Sequence, residues 1–358
     1  MSLSFFNITN FRNIENIHFD FSPHCNIFYG KNGSGKTSIL ETIYYLALGR
    51  SFRSHLLRRI AKYGTDGFSL FGKIQQENNS ISVGIDRSIA SGKRIKIAGE
   101  DVFSNIEITK LLPLQLLNQD SYRLLDDGPK IRRQFIDWGL FHVEQNFLTL
   151  WRKVGRIIEQ RNAAIRTNSR ADYIKTWDKE LSQFGFELHE RRKRYMEGFV
   201  PIARTILQKL LCNFSIDISY FSGWDNERDL IAVLADNLKN DLHFGYTVVG
   251  PQRANLQITI DKVPAKDALS RGQQKLLLYG LQISQGILLN KLTGKNCIYL
   301  VDDLLAELDS QKSAVIAEIL LNLQSQIFVT GLTRESLEKS FISQNMKMFH
   351  VEQGSVVG

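Results

Sequence analysis

The run Gly30-Lys31-Asn32-Gly33-Ser34-Gly35-Lys36-Thr37 constrains this 358-residue chain more than any other stretch. It is a complete G-x-x-x-x-G-K-[ST] pattern, which works only in the turn between a buried strand and a helix. Both neighbours are legible. Cys25 to Tyr29 reads as the strand, and Thr37 to Leu48 reads as the helix, with Ile39, Leu40, Ile43, Leu46 and Ala47 on its apolar face. In such a turn the glycines let successive backbone N–H groups point inward around phosphate oxygens. Gly30, Lys31, Asn32, Gly33, Ser34 and Gly35 are therefore expected to wrap the phosphates of a nucleoside triphosphate. Lys36 would reach the β/γ-phosphates, the Thr37 hydroxyl would ligate Mg²⁺, and the helix N-terminus adds partial positive charge. The fold class that follows is α/β, and the expected cofactors are ATP and Mg²⁺.

The far end of the chain carries the matching acids. Cys297-Ile298-Tyr299-Leu300-Val301-Asp302-Asp303 reads as an apolar strand ending in two carboxylates. Asp302 is expected to hold the Mg²⁺ water shell, and Asp303 to orient or deprotonate the attacking water. Ala306-Glu307-Leu308-Asp309 adds a second acidic turn. Upstream, Leu269-Ser270-Arg271-Gly272-Gln273-Gln274-Lys275 opens a long apolar-faced helix. Ser270 and Gln273 have capping-box spacing, which explains the motif as a well-started helix. The other reading makes Ser270, Gly272 and Gln273 a second anion site, suited to the γ-phosphate of an ATP held by another subunit.

Composition narrows the setting. The formal net charge is +8 and the pI about 9.3, which suits a polyanionic partner. Cys25, Cys212 and Cys297 are isolated, so neither a disulfide framework nor a zinc site is expected. Met1-Ser2-Leu3-Ser4-Phe5-Phe6 lacks the features of a signal peptide, and no apolar run approaches the length of about 18 residues that suggests a membrane span. The expectation is a cytoplasmic protein with no membrane partner.

Residues 1–117 alternate short strands around the single helix after the phosphate loop, and residues 246–358 resume that α/β pattern. Between them, 118–245 reads as an inserted helical lobe. Asp127-Gly128-Pro129 starts one helix, and Phe147, Leu150, Trp151, Val154, Ile157 and Ile158 trace a second. Ile174, Trp177, Leu181, Phe184, Leu188 and Tyr195 predict a third, ending at Pro201. Two basic clusters stand out. Arg50, Arg53, Arg58, Arg59 and Lys62, with His55 and Phe52 among them, have no acid between Glu41 and Asp66 and are the expected DNA contact. Arg191-Arg192-Lys193-Arg194 is the alternative, although Glu187, Glu190 and Glu197 can pair with it on a helix. No helix-turn-helix, zinc-finger or RNP-type pattern appears, so phosphate contact without base reading is expected.

The order of phosphate loop, serine-glycine-glutamine helix start, acid pair and acidic turn resembles the ATP-binding-cassette ATPase class. Within that class, four further stretches resemble the RecF family of bacterial DNA replication and repair proteins. They are Ile8-Thr9-Asn10-Phe11-Arg12-Asn13, Gly49-Arg50-Ser51-Phe52-Arg53, the segment from Gly128 to Asp137 around Arg132-Arg133, and Gly250-Pro251-Gln252-Arg253. The likeness runs from about residue 3 to the C-terminus. It implies a cassette-type head with an inserted lobe, Arg12 among the nucleotide contacts, and Gln119 as the glutamine sensing Mg²⁺ and water, with Gln115 as the alternative. It also implies an ATP-dependent homodimer that binds duplex, gapped or junction DNA and assists recombinase loading alongside RecO and RecR. Two departures from the class, Asp303 in place of Glu and no switch histidine in the strand Gln326–Thr330 or the turn that follows it, imply slow hydrolysis with a timing role. A second reading of the same motifs is the ATPase subunit of a membrane transporter.

Overall fold

The alternating and continuous apolar runs around the phosphate-loop segment build two sheets within one unit, Met1–Ser121 with Leu289–Gly358. A second unit takes Tyr122–Leu288. The computed structural model describes residues 1–76, 79–167, 169–303, 308–341 and 345–357. In chain order its strands begin with β1 (Ser2–Phe11), β2 (Ile14–Asp20), β3 (Cys25–Tyr29), β4 (Gly67–Gln76) and β5 (Asn79–Ser88). Next come β6 (Gly92–Ile97), β7 (Glu100–Val102), β8 (Leu114–Leu117), β9 (Ile216–Phe221) and β10 (Asn255–Ile260). The remaining strands are β11 (Val263–Pro264), β12 (Ile298–Val301), β13 (Ile327–Gly331), β14 (Met346–Glu352) and β15 (Ser355–Val357).

The first sheet of the larger unit is antiparallel, in the order β2-β1-β4-β5-β6-β7. Its strands follow the two-residue period: Phe68, Leu70 and Ile74 of β4 are buried while Phe71 and Lys73 are exposed. The second sheet, β15-β14-β3-β13-β12-β8, is parallel except for the final β14–β15 hairpin. All four residues of β12 are buried, as expected of a strand covered on both faces. The helix Lys36–Leu48 shares one core with both sheets. Ile39, Ile43 and Leu46 join Phe6, Ile8 and Leu70 of the first sheet and Phe28, Leu300 and Phe328 of the second. The helix thus starts at the carboxyl ends of the parallel strands, where open α/β sheets bind their ligands.

The other unit contains the expected helices Pro129–Val143, Phe147–Arg166 and Ala171–Leu210, and the sheet β11-β10-β9. Two expectations are corrected. The third helix continues through Pro201 to Leu210. Phe199, Ala203 and Leu207 are buried on both sides of the proline, and that packing outweighs a local cost of about 3 kcal/mol. The second boundary falls at 288/289, not 245/246, because β10 pairs with β9 and carries its segment into the lobe. The run Arg191–Arg194 is not a uniform basic face. Arg192 is buried, donating to both carboxylate oxygens of Asp137 at 2.8 Å, and Arg191 donates to Glu187 at 2.6 Å.

A charged knot holds the lobe. The fully buried Arg161 donates to Asp178 and to Asp241 at 2.6 Å each, and to the Thr247 hydroxyl at 2.8 Å. Burial pushes the Asp178 carboxyl upward against the pull of Arg161. Arg161→Met would leave two buried carboxylates without their cation, so urea unfolding should show a loss of about 3–5 kcal/mol. An unchanged midpoint would show that the knot contributes nothing net.

Candidate functional site

The phosphate loop leaves β3 and closes on the helix Lys36–Leu48. Gly30 adopts φ +148°, and a Cβ there would lie 2.3 Å from the Val351 carbonyl oxygen, so no other residue fits beside β14. Gly35 caps the helix in the left-handed region at φ +115°. The loop is braced from two sides, because the Ser34 carbonyl accepts from the Gly354 N–H at 2.7 Å and from the Asn13 amide at 3.2 Å. Among the described residues no side chain caps the helix, and its first turn holds no acid, so its opening amides stay available to an anion. The buried Ser34 hydroxyl has no hydrogen-bond partner among the described residues. Lys36 Nζ donates to the carbonyls of Gly30 at 2.7 Å and Lys31 at 2.8 Å, and burial lowers its pKa.

The acids arrive from β12. Asp302 Oδ1 accepts from the Thr37 hydroxyl at 3.0 Å and from the Thr330 hydroxyl at 2.8 Å. Its own N–H donates to Leu117 O, at the end of β8. Burial raises the pKa of Asp302. Asp303 sits at φ +53°, uncommon for a residue with a side chain, and its N–H donates to Thr330 Oγ1 at 2.9 Å. Asp302, Asp303, Lys36, Thr37, Thr330, Asn13 and Arg53 line a cavity of about 240 Å³. The oxygens of Thr37 and Asp302 form a hard, oxygen-only pair of the kind Mg²⁺ takes.

Other expected residues fall differently. Arg12 does not line this cavity. Its guanidinium grips the fully buried Glu41 carboxylate with two hydrogen bonds, at 3.0 and 2.7 Å, because a buried carboxylate demands a cation. Gln115 is buried inside β8, whereas Gln119 is exposed just beyond its end, in the turn Gln119–Tyr122. Ala306 and Glu307 of the acidic turn lie outside the described residues. Asp309 caps the helix Ser310–Leu321 by accepting from Lys312 N at 2.8 Å. In the other unit the capping box is formed: Ser270 N donates to Gln273 Oε1 at 2.8 Å, and Gln273 N donates to Ser270 Oγ at 3.4 Å. Ser270 is exposed and Gly272 half-buried at the start of the helix Arg271–Thr293.

The first basic cluster is partly neutralised. Arg53 lies 3.5 Å from Glu41, and Lys62 pairs with Glu15. Arg50, Arg58 and Arg59 are exposed, without carboxylate partners among the described residues. Sequence reading missed Thr330, Asn13 and Glu41. The only signal for Thr330 was its place at the end of an apolar strand, and its role needs the β12–β13 register that pairs Val301 with Val329.

Thr330→Val keeps the volume and removes both acid contacts. Thermal unfolding should show a loss of about 1–2 kcal/mol. In nucleotide titrations, the gain in affinity from Mg²⁺ should shrink about tenfold or more, the usual cost of losing a partner that orients a metal ligand.

The family model described as "RecF/RecN/SMC N terminal domain" matches residues 2–357. The protein named DNA replication and repair protein RecF of Psychromonas ingrahamii is 40% identical over 357 residues, covering 99% of each chain. Its namesake from Pseudomonas fluorescens strain SBW25 is 42% identical over 359 residues, covering 99% of this chain and 98% of that one. Among solved structures, the recombination mediator protein RecF-ATP of the RecFOR pathway superposes with a TM-score of 0.83 at 23% identity, covering 99% and 97%. An SMC head bound to the C-winged helix domain of ScpA gives a TM-score of 0.65 at 14% identity, covering 100% and 97%. The expected architecture, a cassette-type ATPase head with an inserted lobe, is borne out by these likenesses. The chain belongs to the RecF family, within the wider RecF/RecN/SMC N-terminal domain class.

Proposed function

We propose that this chain is an ATP-dependent DNA-binding protein of replication and recombinational repair that works as a slow molecular switch. The observation that carries the reading is the Thr37–Asp302–Thr330 hydrogen-bond chain beside an uncapped phosphate loop. ATP is bound by Gly30 to Thr37, with Lys36 exchanging two loop carbonyls for β/γ-phosphate oxygens. Mg²⁺, held by Thr37 and by Asp302 through its water shell, would neutralise phosphate charge. Thr330 keeps Asp302 turned toward Thr37 and steadies the Asp303 backbone. Asp303 positions the attacking water, with Gln119 as the sensor of that arrangement. A carboxylate one methylene shorter than glutamate stands farther from that water, which suits slow turnover.

Ser270 and the Gly272 amide act in trans on the γ-phosphate of a second subunit, so ATP closes a homodimer. The capping bond uses Ser270 Oγ as acceptor and leaves its proton to donate. DNA in duplex, gapped or junction form meets Arg50, Arg53, Arg58, Arg59 and Lys62, with the three unpaired arginines carrying most of the attraction. RecO and RecR are the proposed protein partners by family, and the cytoplasm the proposed compartment. The relatives cited above are named as DNA replication and repair proteins, which favours this reading over a transporter ATPase.

Sedimentation tests the switch. The parent chain should dimerise with ATP, while Ser270→Arg should bind ATP and stay monomeric. A variant that dimerises like the parent would break the composite site. Salt dependence tests the DNA surface. Each phosphate contact contributes a slope of about 0.9 in log K against log salt, so Arg58→Glu with Arg59→Glu should flatten the slope by about two. Equal slopes would put the principal phosphate contacts elsewhere.

A further inference from the structure

A second cavity in the same unit, about 490 Å³, lies beyond the helix Lys36–Leu48 and is lined by cations with no carboxylate among its lining residues. Two of them sit in an arrangement that a sheet ordinarily avoids. Arg87 of β5 and Lys93 of β6 are directly opposite in the strand register, and like charges in that position repel. Lys93 is not merely solvated there. Its ammonium donates to the Gly49 carbonyl at 2.7 Å and to Asn105 Oδ1 at 2.6 Å, and lies 5.5 Å from the centre of the Tyr45 ring. The backbone is shaped around it, since a Cβ on Gly49, at φ +66°, would meet Lys93 Nζ at 2.3 Å.

The remaining charges facing the cavity reinforce the field. Arg50, Arg53 and His55 line it from the loop after the helix. The nearest carboxylate in that loop's contacts is Glu41, which already accepts from Arg12 and lies 3.5 Å from Arg53. Arg87 has no ion pair among the described residues. Burial first, and the Arg87 charge second, lower the Lys93 pKa to about 8. A pair of facing cations, positioned by a left-handed glycine and two neutral acceptors, is a frame waiting for a compact anion.

We propose that this cavity binds a phosphate group, with Arg87 and Lys93 on its strand wall and Arg50 and Arg53 on its loop wall. Arginine forks and a lysine point charge are the usual recognition set for such an anion. The cavity is distinct from the one bounded by the phosphate loop, although Arg53 lines both. The phosphate belongs either to the DNA backbone or to a free small molecule, and the inference stands without the DNA reading.

The test uses the full chain carrying Lys36→Ala, to silence the phosphate loop, with Lys93 followed by lysine-resolved NMR. Orthophosphate should bind saturably and raise the Lys93 pKa by about one pH unit, since an anion favours the ammonium. Arg87→Gln in the same background should weaken orthophosphate binding about tenfold. Its thermal midpoint without phosphate should be unchanged or higher, because one of two opposed cations is gone; a cation with a purely structural role would show the reverse. Thymidine 5′-monophosphate and short duplexes with or without a 5′-phosphate then identify the source. A Lys93 response to both duplexes assigns the phosphate to the DNA backbone, and a response confined to the small anions assigns it to a free ligand. If no ligand moves the Lys93 titration, or if Arg87→Gln binds orthophosphate as tightly as the parent, the site does not exist.

Discussion

The Asp302 carboxylate, accepting from Thr37 and Thr330, is the contact on which the nucleotide-binding geometry depends. It joins residues 265 positions apart in the chain, so it can form only once β3, β13 and β12 lie side by side. Each strand then delivers one part at its carboxyl end: β3 the phosphate loop, β12 the acids, β13 the threonine between them. Taking the carboxylate out of water raises its pKa, and the two hydroxyl bonds oppose that cost. A divalent cation bound there would oppose it further.

Much of this was legible in the sequence because it is written in local periodicity and fixed spacing. The phosphate loop, its flanking strand and helix, the acid pair and the starts of three lobe helices needed no long-range information. What was hidden depends on register. Thr330 matters only because Val301 pairs with Val329, and Arg87 meets Lys93 only because β5 and β6 align them. Pro201 reads as a stop because its local cost is visible in sequence, whereas the burial of Phe199 and Leu207 around it is not. The lobe boundary is hidden for the same reason: β10 belongs with β9 by pairing across more than thirty intervening residues.

Charge was the least transferable signal. A count along the chain made Arg191 to Arg194 look like a polyanion surface, yet Arg192 is spent on Asp137 inside the lobe. The cluster after the first helix looked free of acids, yet Glu41 and Glu15 reach Arg53 and Lys62. Glu41 is the more consequential. Fully buried on the phosphate-loop helix, it holds Arg12, Arg53 and Ser51 together, so the basic loop is anchored to the element that begins at the nucleotide.

The hairpin of β14 and β15 completes the phosphate loop from the opposite end of the chain, through Val351 against Gly30 and Gly354 against Ser34. On a translating ribosome, the loop therefore emerges hundreds of residues before its brace. Until Asp302 is made, Gly30 to Gly35 lack its carboxylate, and until residues 351–354 are made they also lack their rear wall. The bracing of the phosphate loop is thus a long-range closure, because Gly354 against Ser34 and Val351 against Gly30 join segments far apart in the chain.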